Sequence, residues 1–172
     1  ADATKTFNAT TQQYQAMPIV VASGAKQKTI SGNLYLNKLG VPTGDLYVRL
    51  VKDNAGVPSN LASDILAEAS PISIGGLAAG DVTVPISLSA RLPAGTYWLV
   101  AVPSDYYRST GFSVGVNELR WRTDASAPTY AGGTLNVYDG ATWTPVAGED
   151  ACFQLSGYVY DLRVRITSAT TD

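Results

Sequence analysis

The sequence predicts an all-β fold, a single-domain antiparallel β-sandwich that is jelly-roll-like. Apolar residues occupy every second position at Leu34–Leu36, Leu46–Leu50 and Trp98–Val102. This spacing is typical of strands with one face in a core and the other in water, so we expect Trp98 in the core. Ten Tyr, sixteen Gly and nine Pro in 172 residues are the composition of a protein with many strands and turns.

The chain is long and apolar enough, with 45% hydrophobic residues, to bury a core as one domain. We expect an N-terminal arm over residues 1–12, a β-sandwich module over 13–157, and a C-terminal strand and tail over 158–172. One stretch, Asn60–Ala69, is compatible with one or two helical turns, although a loop that leads into a strand is favoured.

The C-terminal segment Tyr158–Ile166 has the alternation of a further strand. Four apolar side chains share one of its faces, namely Tyr160, Leu162, Val164 and Ile166. Because a sandwich that closes near Gly157 leaves them little room, we expect this strand to pack at a subunit contact or to pair with a neighbouring chain.

Charge and hydropathy exclude two partner classes. The net charge is −2 and Lys and Arg are not clustered, so nothing in the sequence would neutralise a nucleic-acid backbone. No run of about 18 apolar residues is present, which argues against a membrane partner. The chain has no His, so Ser-His-Asp chemistry is impossible, and its one cysteine, Cys152, is expected to act as a small core hydrophobe.

Carboxylates are the remaining route to catalysis or metal binding. The three glutamates, Glu68, Glu118 and Glu149, could supply a glycosidase pair, but each is better explained as a solvating charge at a strand end. Asp53, Asn54, Asp139, Asp150 or loop carbonyls could supply calcium ligands, although Asp53–Gly56 and Asp139-Gly140 are better explained as turns. We therefore expect no enzyme, no cofactor and no metal, with a carboxylate-dependent glycoside hydrolase as a remote alternative.

Aromatic residues outside the alternating strands indicate a candidate binding surface. They are Tyr106, Tyr107, Tyr130, Tyr138 and Trp143. Flat rings beside Asp, Asn and Arg suit a glycan, because the ring stacks on sugar C–H groups while polar neighbours bond the hydroxyls. Packing of these rings over the sandwich ends or at subunit contacts is an equal alternative.

Several short motifs in a fixed order carry a family resemblance over about residues 13 to 157. They are Leu34, Leu36, Lys38, Gly40, Pro42-Thr43-Gly44, Leu46, Val48, Asp53, Gly56, Pro58, Leu92, Ala94-Gly95-Thr96-Tyr97-Trp98-Leu99, Tyr130-Ala131-Gly132-Gly133, Trp143-Thr144-Pro145 and Phe153. With them the chain resembles the choice-of-anchor R domain of bacterial extracellular and phage structural proteins. The resemblance implies a jelly-roll-like sandwich for attachment or display, without catalytic residues.

The functional prediction combines these observations. We expect a non-enzymatic structural or adhesive component, of a phage tail or capsid-decoration type, located in a virion or outside the cell. Its partners would be copies of itself or other virion proteins, together with a host surface glycan. The alternative is a secreted bacterial carbohydrate-binding or cell-surface adhesion module. The tail carries no sorting anchor, which favours the virion or secreted setting.

Overall fold

A computed structural model describes residues 2–22, 27–126, 128, 130 and 132–159. Its strands, in chain order, are β1 (Ala3–Thr6), β2 (Tyr14–Val21), β3 (Gln27–Leu39), β4 (Asp45–Asn54), β5 (Val57–Pro58), β6 (Ile65–Glu68), β7 (Ile72–Ser73), β8 (Gly80–Leu92), β9 (Gly95–Pro103), β10 (Glu118–Asp124), β11 (Asn136–Tyr138), β12 (Trp143–Pro145), β13 (Asp150–Ala151) and β14 (Phe153–Val159). Helical structure among these residues is limited to a 3-10 turn at Ala62–Asp64 and a helical turn over residues 105–111, of which Tyr107–Gly111 are π-helical. All pairs between these strands are antiparallel.

The first sheet contains β1, β10, β3 and β8, with the β13–β14 segment inserted between β10 and β3. At one end β10 pairs directly with β3, as in the pair Trp121 and Leu36. Further along, the two strands separate, and β13 pairs with β10 while β14 pairs with β3. The N–H of Cys152, at the point of separation, bonds the Arg122 carbonyl at 2.7 Å.

The second sheet has the order β12–β11–β2–β9–β4, and the short strands β5, β6 and β7 pair with the outer edge of β4. The two sheets pack face to face, and one hydrophobic cluster lies between them. We call this cluster the inner core. The predicted all-β antiparallel sandwich is therefore confirmed.

The inner core takes alternate residues from both sheets. On β3 of the first sheet these are Leu34 and Leu36. On β4 of the second sheet they are Leu46, Val48 and Leu50. Each of these side chains has no solvent-accessible surface. The predicted alternation on β3 and β4 is thus correct in both period and phase.

On β9, the predicted burial of Trp98, Val100 and Val102 is confirmed, but these residues do not face the inner core. They lie on the outer face of the second sheet, in a separate cluster with Ala16 and Val51. We call these five residues the outer-face cluster. The inward positions of β9 belong to Tyr97, Leu99 and Ala101. Since β9 is apolar at every position from 97 to 102, alternation alone did not show which set faces the other sheet.

Both ends of the described chain add strands to the first sheet. The N-terminal β1 pairs with β10, and Phe7 directly after it is completely buried. The C-terminal β14 continues its pairing with β3 as far as Val159. The predicted assembly residues Tyr160, Leu162, Val164 and Ile166 lie outside the described residues.

The Asn60–Ala69 stretch combines the two structures that the sequence allowed. A single 3-10 turn occupies Ala62–Asp64, and β6 follows it at once. Asp64 accepts hydrogen bonds from Lys52 Nζ and Ser59 Oγ at 2.8 and 2.7 Å, and these two groups hold the pKa of its carboxyl below the ordinary value. The turn is therefore fixed against β4.

Candidate functional site

The outer face of the second sheet carries the largest aromatic assembly that includes predicted site residues. Strand pairing places Trp143 beside Tyr138, and Tyr138 beside Tyr14. One step further along the strands, pairing aligns Asn136 with Ala16, and Ala16 with Val100. The outer-face cluster thus forms a floor, and the aromatic residues stand at its edge.

Four side chains stack into a ladder along this edge. The guanidinium of Arg108 lies 5.1 Å from the centre of the Tyr14 ring. Tyr14 and Tyr138 stack with centroids 5.2 Å apart and planes 10° apart, and Trp143 lies 5.1 Å beyond Tyr138. Both faces of the Tyr14 and Tyr138 rings are therefore occupied, which leaves their hydroxyls and the far face of Trp143 for a ligand.

The indole of Trp143 connects the ladder to the opposite side of the sheet. Its Nε1–H donates to Asn60 Oδ1 at 2.9 Å, across the outer-face cluster. A cleft of about 180 Å³ lies here, and its lining residues include Tyr14, Arg49, Asn60, Leu61, Val100 and Trp143. The cleft has an apolar floor and a polar rim, and Leu61 is 64% exposed beside it. We call it the tryptophan cleft.

Arg49 at the tryptophan cleft and Arg108 in the ladder each have a carboxylate partner. Arg49 pairs with Glu68 at 2.5 Å, and its guanidinium lies 5.8 Å from the Tyr47 ring centre. Arg108 pairs with Asp105 and donates to the Pro103 carbonyl. The two cations are therefore compensated within the protein, and the site presents hydrogen-bonding groups more than net charge.

The structure brings Tyr138 and Trp143 together but separates the other three predicted site residues from them. Tyr106 is exposed, in the turn that also carries Arg108. Tyr107, next to it, is completely buried in the inner core. Its hydroxyl donates to the Phe7 carbonyl at 3.0 Å and accepts from the Leu119 N–H at 2.8 Å, and burial raises its pKa. Tyr107 is a core residue that joins three chain segments, and it presents no surface to a ligand.

Tyr130 closes one side of the sandwich. Its N–H donates to Asp150 Oδ2 at 2.9 Å in the first sheet, and its hydroxyl donates to the Pro18 carbonyl at 2.8 Å in the second. The ring packs edge-on against Phe153, with centroids 5.4 Å apart. Burial raises the pKa of the hydroxyl. These contacts correspond to the packing alternative that the sequence left open for the aromatic residues.

The two predicted aspartate turns are present. Asp139 accepts hydrogen bonds from the N–H groups of Thr142 and Ala141, both at 2.8 Å, and these bonds lower the pKa of its carboxyl. Asp53 accepts from the Gly56 N–H at 3.1 Å and, in addition, from Trp98 Nε1 at 2.7 Å. No group of three potential metal-ligating side chains occurs among the described residues.

Two glutamates differ from the solvating charges that the sequence suggested. Glu149 is buried, and its carboxylate accepts from Thr123 Oγ1 at 2.6 Å and pairs with Lys5 at 2.7 Å. Glu118 is also buried, and it binds Arg120 and the Gly115 N–H. Burial opposes its ionisation, but these two donors hold its pKa below the ordinary value. Only Glu68 is exposed, as predicted.

Cys152 is half-buried and not a full core residue, which corrects its predicted position. Burial raises the pKa of its thiol, so the neutral form is favoured at pH 7. Its carbonyl accepts the Trp121 Nε1–H at 2.8 Å.

A second surface feature lies at the end of the sandwich where β3 meets β4. Four exposed apolar side chains lie in the loops at this end, namely Val41, Tyr106, Val114 and Val116. The 113–117 turn is held by Asn117, whose Oδ1 accepts the Val41 N–H at 2.9 Å. Gly40 has φ +65°, and a Cβ there would lie 1.9 Å from the Val116 carbonyl oxygen. The loop at Gly40 and the 113–117 turn therefore approach so closely that there is no room for a side chain at position 40. We call this surface the loop end.

Sequence reasoning missed Tyr14, Arg108 and Asn60. Tyr14 lies two residues before Ala16 on the same face of β2, but only the pairing with β11 shows that it meets Tyr138. Asn60 is 83 positions from its partner Trp143. No local signal marks contacts of this kind.

Comparison with known proteins gives no relative. No significant match was found among protein-family models, curated proteins or solved structures. The resemblance to choice-of-anchor R domains therefore stays a prediction. Among the described residues, no helix has the length and apolar character needed to span a bilayer.

Proposed function

We propose that this protein is a non-enzymatic adhesive component that binds a glycan at the tryptophan cleft. The observation that carries the proposal is the position of Trp143. Its indole packs against Tyr138 with the ring planes tilted by 40°, and it lines an open cleft with Asn60 and Tyr14.

The chemistry of this cleft matches the two sides of a sugar ring. The apolar indole and the floor of Val100 offer contact to C–H groups, whereas hydroxyls of the sugar need donors and acceptors at the rim. Tyr14 supplies a hydroxyl that bonds no other group among the described residues. Asn60 supplies an amide, whose Oδ1 is fixed by Trp143.

The setting of this adhesion is proposed from the sequence. The resemblance to display modules favours a virion or an extracellular surface, with copies of the chain or other virion proteins as partners. A secreted bacterial carbohydrate-binding module would use the same cleft in the same way.

The decisive experiment is a glycan array, followed by titration calorimetry on the best glycan it identifies. We expect wild type to bind at least one glycan and Trp143→Ala to lose about tenfold or more in affinity, since one aromatic contact is removed. Tyr35→Ala is the matched control, because Tyr35 is a half-buried aromatic residue of the first sheet. Absence of binding to every glycan, or equal affinity of wild type and Trp143→Ala, would refute the proposal.

The non-enzymatic part has its own test. Wild type incubated with the glycan it binds is expected to release no new reducing ends. Reducing ends that appear with wild type and not with Glu68→Gln would instead support the hydrolase alternative, because Glu68 is the glutamate nearest to this site through its contact with Arg49.

A structural assembly role is the second candidate function, and the loop end favours it. Val114 is 78% exposed and Val41 74%, on loops that are fixed by Asn117. Exposed apolar groups on a rigid support are typical of contact surfaces. Light scattering after size exclusion should show fewer subunits for Val114→Asp than for wild type. A chain ending at residue 157 tests the predicted contact of Tyr158–Ile166 by the same measurement.

A further inference from the structure

A second cleft lies on the same outer face and is not used by the site described above. It has a volume of about 350 Å³. Its lining residues include Pro18, Asp53, Thr96, Trp98, Asn136 and Pro145. Like the tryptophan cleft, it combines an indole with hydroxyl and amide groups, and it adds the carboxylate of Asp53. We call it the distal cleft.

The two clefts lie one after the other along the same three strands. From the tryptophan cleft to the distal cleft, the lining passes from Val51 to Asp53 on β4, from Val100 to Trp98 on β9, and from Trp143 to Pro145 on β12. Each step is two residues on one face of a strand, or about 7 Å. The step on β9 goes backward along the sequence, whereas the steps on β4 and β12 go forward. All three steps nevertheless run in the same direction in space, because β9 is antiparallel to β4.

Two walls enclose this common path. The β11–β12 hairpin forms one wall, with Trp143 and Pro145. The chain that follows β4 forms the other, with Val57 at the distal cleft and Asn60 at the tryptophan cleft. The hydrogen bond between Trp143 and Asn60 joins the walls. The two clefts therefore lie in line along the strands on the outer face, and we call them together the trough.

We propose that the trough binds a linear, neutral oligosaccharide along the strands, with consecutive sugars in the tryptophan cleft and the distal cleft. This inference rests on the proposed function and adds the shape and charge of the ligand. A monosaccharide or a chain terminus would need only one cleft, whereas two clefts in line suit the interior of a chain.

The charges along the trough argue for a neutral ligand. Arg49 is compensated by Glu68, so it offers no free cation to an acidic sugar. Asp53 is exposed at the distal cleft, where its carboxylate would repel a second carboxylate. Its two oxygens also accept bonds from Trp98 and Gly56, which fixes the carboxylate for hydrogen bonding to hydroxyls.

The test uses neutral homo-oligosaccharides from disaccharide to hexasaccharide, of the glucan, mannan or galactan type that the array identifies. Wild-type affinity is expected to rise with chain length and then level off. Thr96→Tyr places a ring in the distal cleft, because Thr96 is exposed there. We expect this variant to lose about tenfold in affinity for the hexasaccharide and to keep the disaccharide affinity of wild type.

Ser87→Tyr is the matched control, since Ser87 is an exposed strand residue on β8 of the other sheet. Thermal midpoints and near-ultraviolet circular dichroism establish that both variants fold. Length-independent affinity, or an unchanged hexasaccharide affinity in folded Thr96→Tyr, would overturn the two-cleft inference and leave glycan binding intact. Stronger binding of a uronic-acid oligomer than of its neutral counterpart would overturn the neutral assignment. Failure of wild type to bind any oligosaccharide would refute both proposals.

Discussion

The inner core and the outer-face cluster are both buried, but different parts of the chain cover them. The inner core lies between two sheets, and Trp121 within it has no exposed surface. The outer-face cluster lies on the far side of one sheet, where Tyr14, Trp143 and the β6 residue Ile65 pack against it. Its tryptophan, Trp98, is only 3% exposed.

The difference shows how one strand can serve stability and binding at once. Both faces of β9 are apolar, and its inward residues Tyr97 and Leu99 belong to the inner core. Among the described residues, the outward residues are covered by the β11–β12 hairpin and by short chain segments, and clefts lie beside Trp98 and Val100. A face that is covered by small elements can be reached by a ligand, whereas a face covered by a sheet cannot.

The largest expected effect is in the inner core. Trp121→Ala should lower the free energy of unfolding by about 3–5 kcal/mol, the range for truncation of a buried tryptophan. It also removes the hydrogen bond to the Cys152 carbonyl. Urea denaturation followed by circular dichroism measures the change. A loss below about 1 kcal/mol would contradict the central position of Trp121.

Trp98→Ala is expected to cost less, about 3 kcal/mol, at the lower end of the same range. The hairpin and loops above it can move into the space, and Asp53, which loses its indole donor, is exposed and can bond water. The same urea experiment applies. If Trp98→Ala proves more destabilising than Trp121→Ala, the outer-face cluster is the more rigid of the two.

Glu149→Gln tests a polar contact on the inner side of the first sheet. The change leaves the half-buried Lys5 without its carboxylate partner, so we expect a loss of about 1–3 kcal/mol. Glu68→Gln is the control on the outer face, where an exposed ion pair is worth less than about 1 kcal/mol. Equal thermal midpoints for the two variants would show that burial of Glu149 has no energetic consequence.

Glu118 should contribute the smallest effect, visible only in acid. Its pKa in the folded chain is lowered, so the ionised form stabilises the fold above the ordinary glutamate pKa of about 4.3. That stability is lost as the pH falls through the folded-state pKa. Thermal midpoints of wild type should therefore fall more steeply in acid than those of Glu118→Gln. Parallel curves for the two proteins would count against the shift.

Local patterns were enough for the fold class and for several turns. The period of β3 and β4 was correct, because their outward positions are polar enough to mark the phase, as at Asn33 and Arg49. The turn at Asp139 was predictable, since an aspartate followed by Gly140 bonds its own backbone neighbours. For β9, where apolar residues occupy both faces, the same reasoning correctly predicted that Trp98 is buried but did not show which of the two clusters it joins.

The candidate site was predicted only in part. Tyr138 and Trp143 were singled out because they flank a hairpin, and hairpin partners are close in sequence. Tyr107 was assigned to a surface loop because the Pro103-Ser104-Asp105 sequence indicates a turn, yet the π-helical turn directs its ring inward. Sequence spacing gives no information on which of two adjacent tyrosines points into a core.

By itself, the sequence determined the all-β class, the strand period and the turn positions, because these depend on residues a few positions apart. The tertiary structure decided what covers each face. It joined Tyr14 to Tyr138, Trp143 to Asn60 and Trp98 to Asp53, over separations of 45 to 124 positions. Such contacts arise from the order and register of strands in the second sheet. The free energy that selects this order is a sum of contributions from the whole core, so no short segment of sequence determines it.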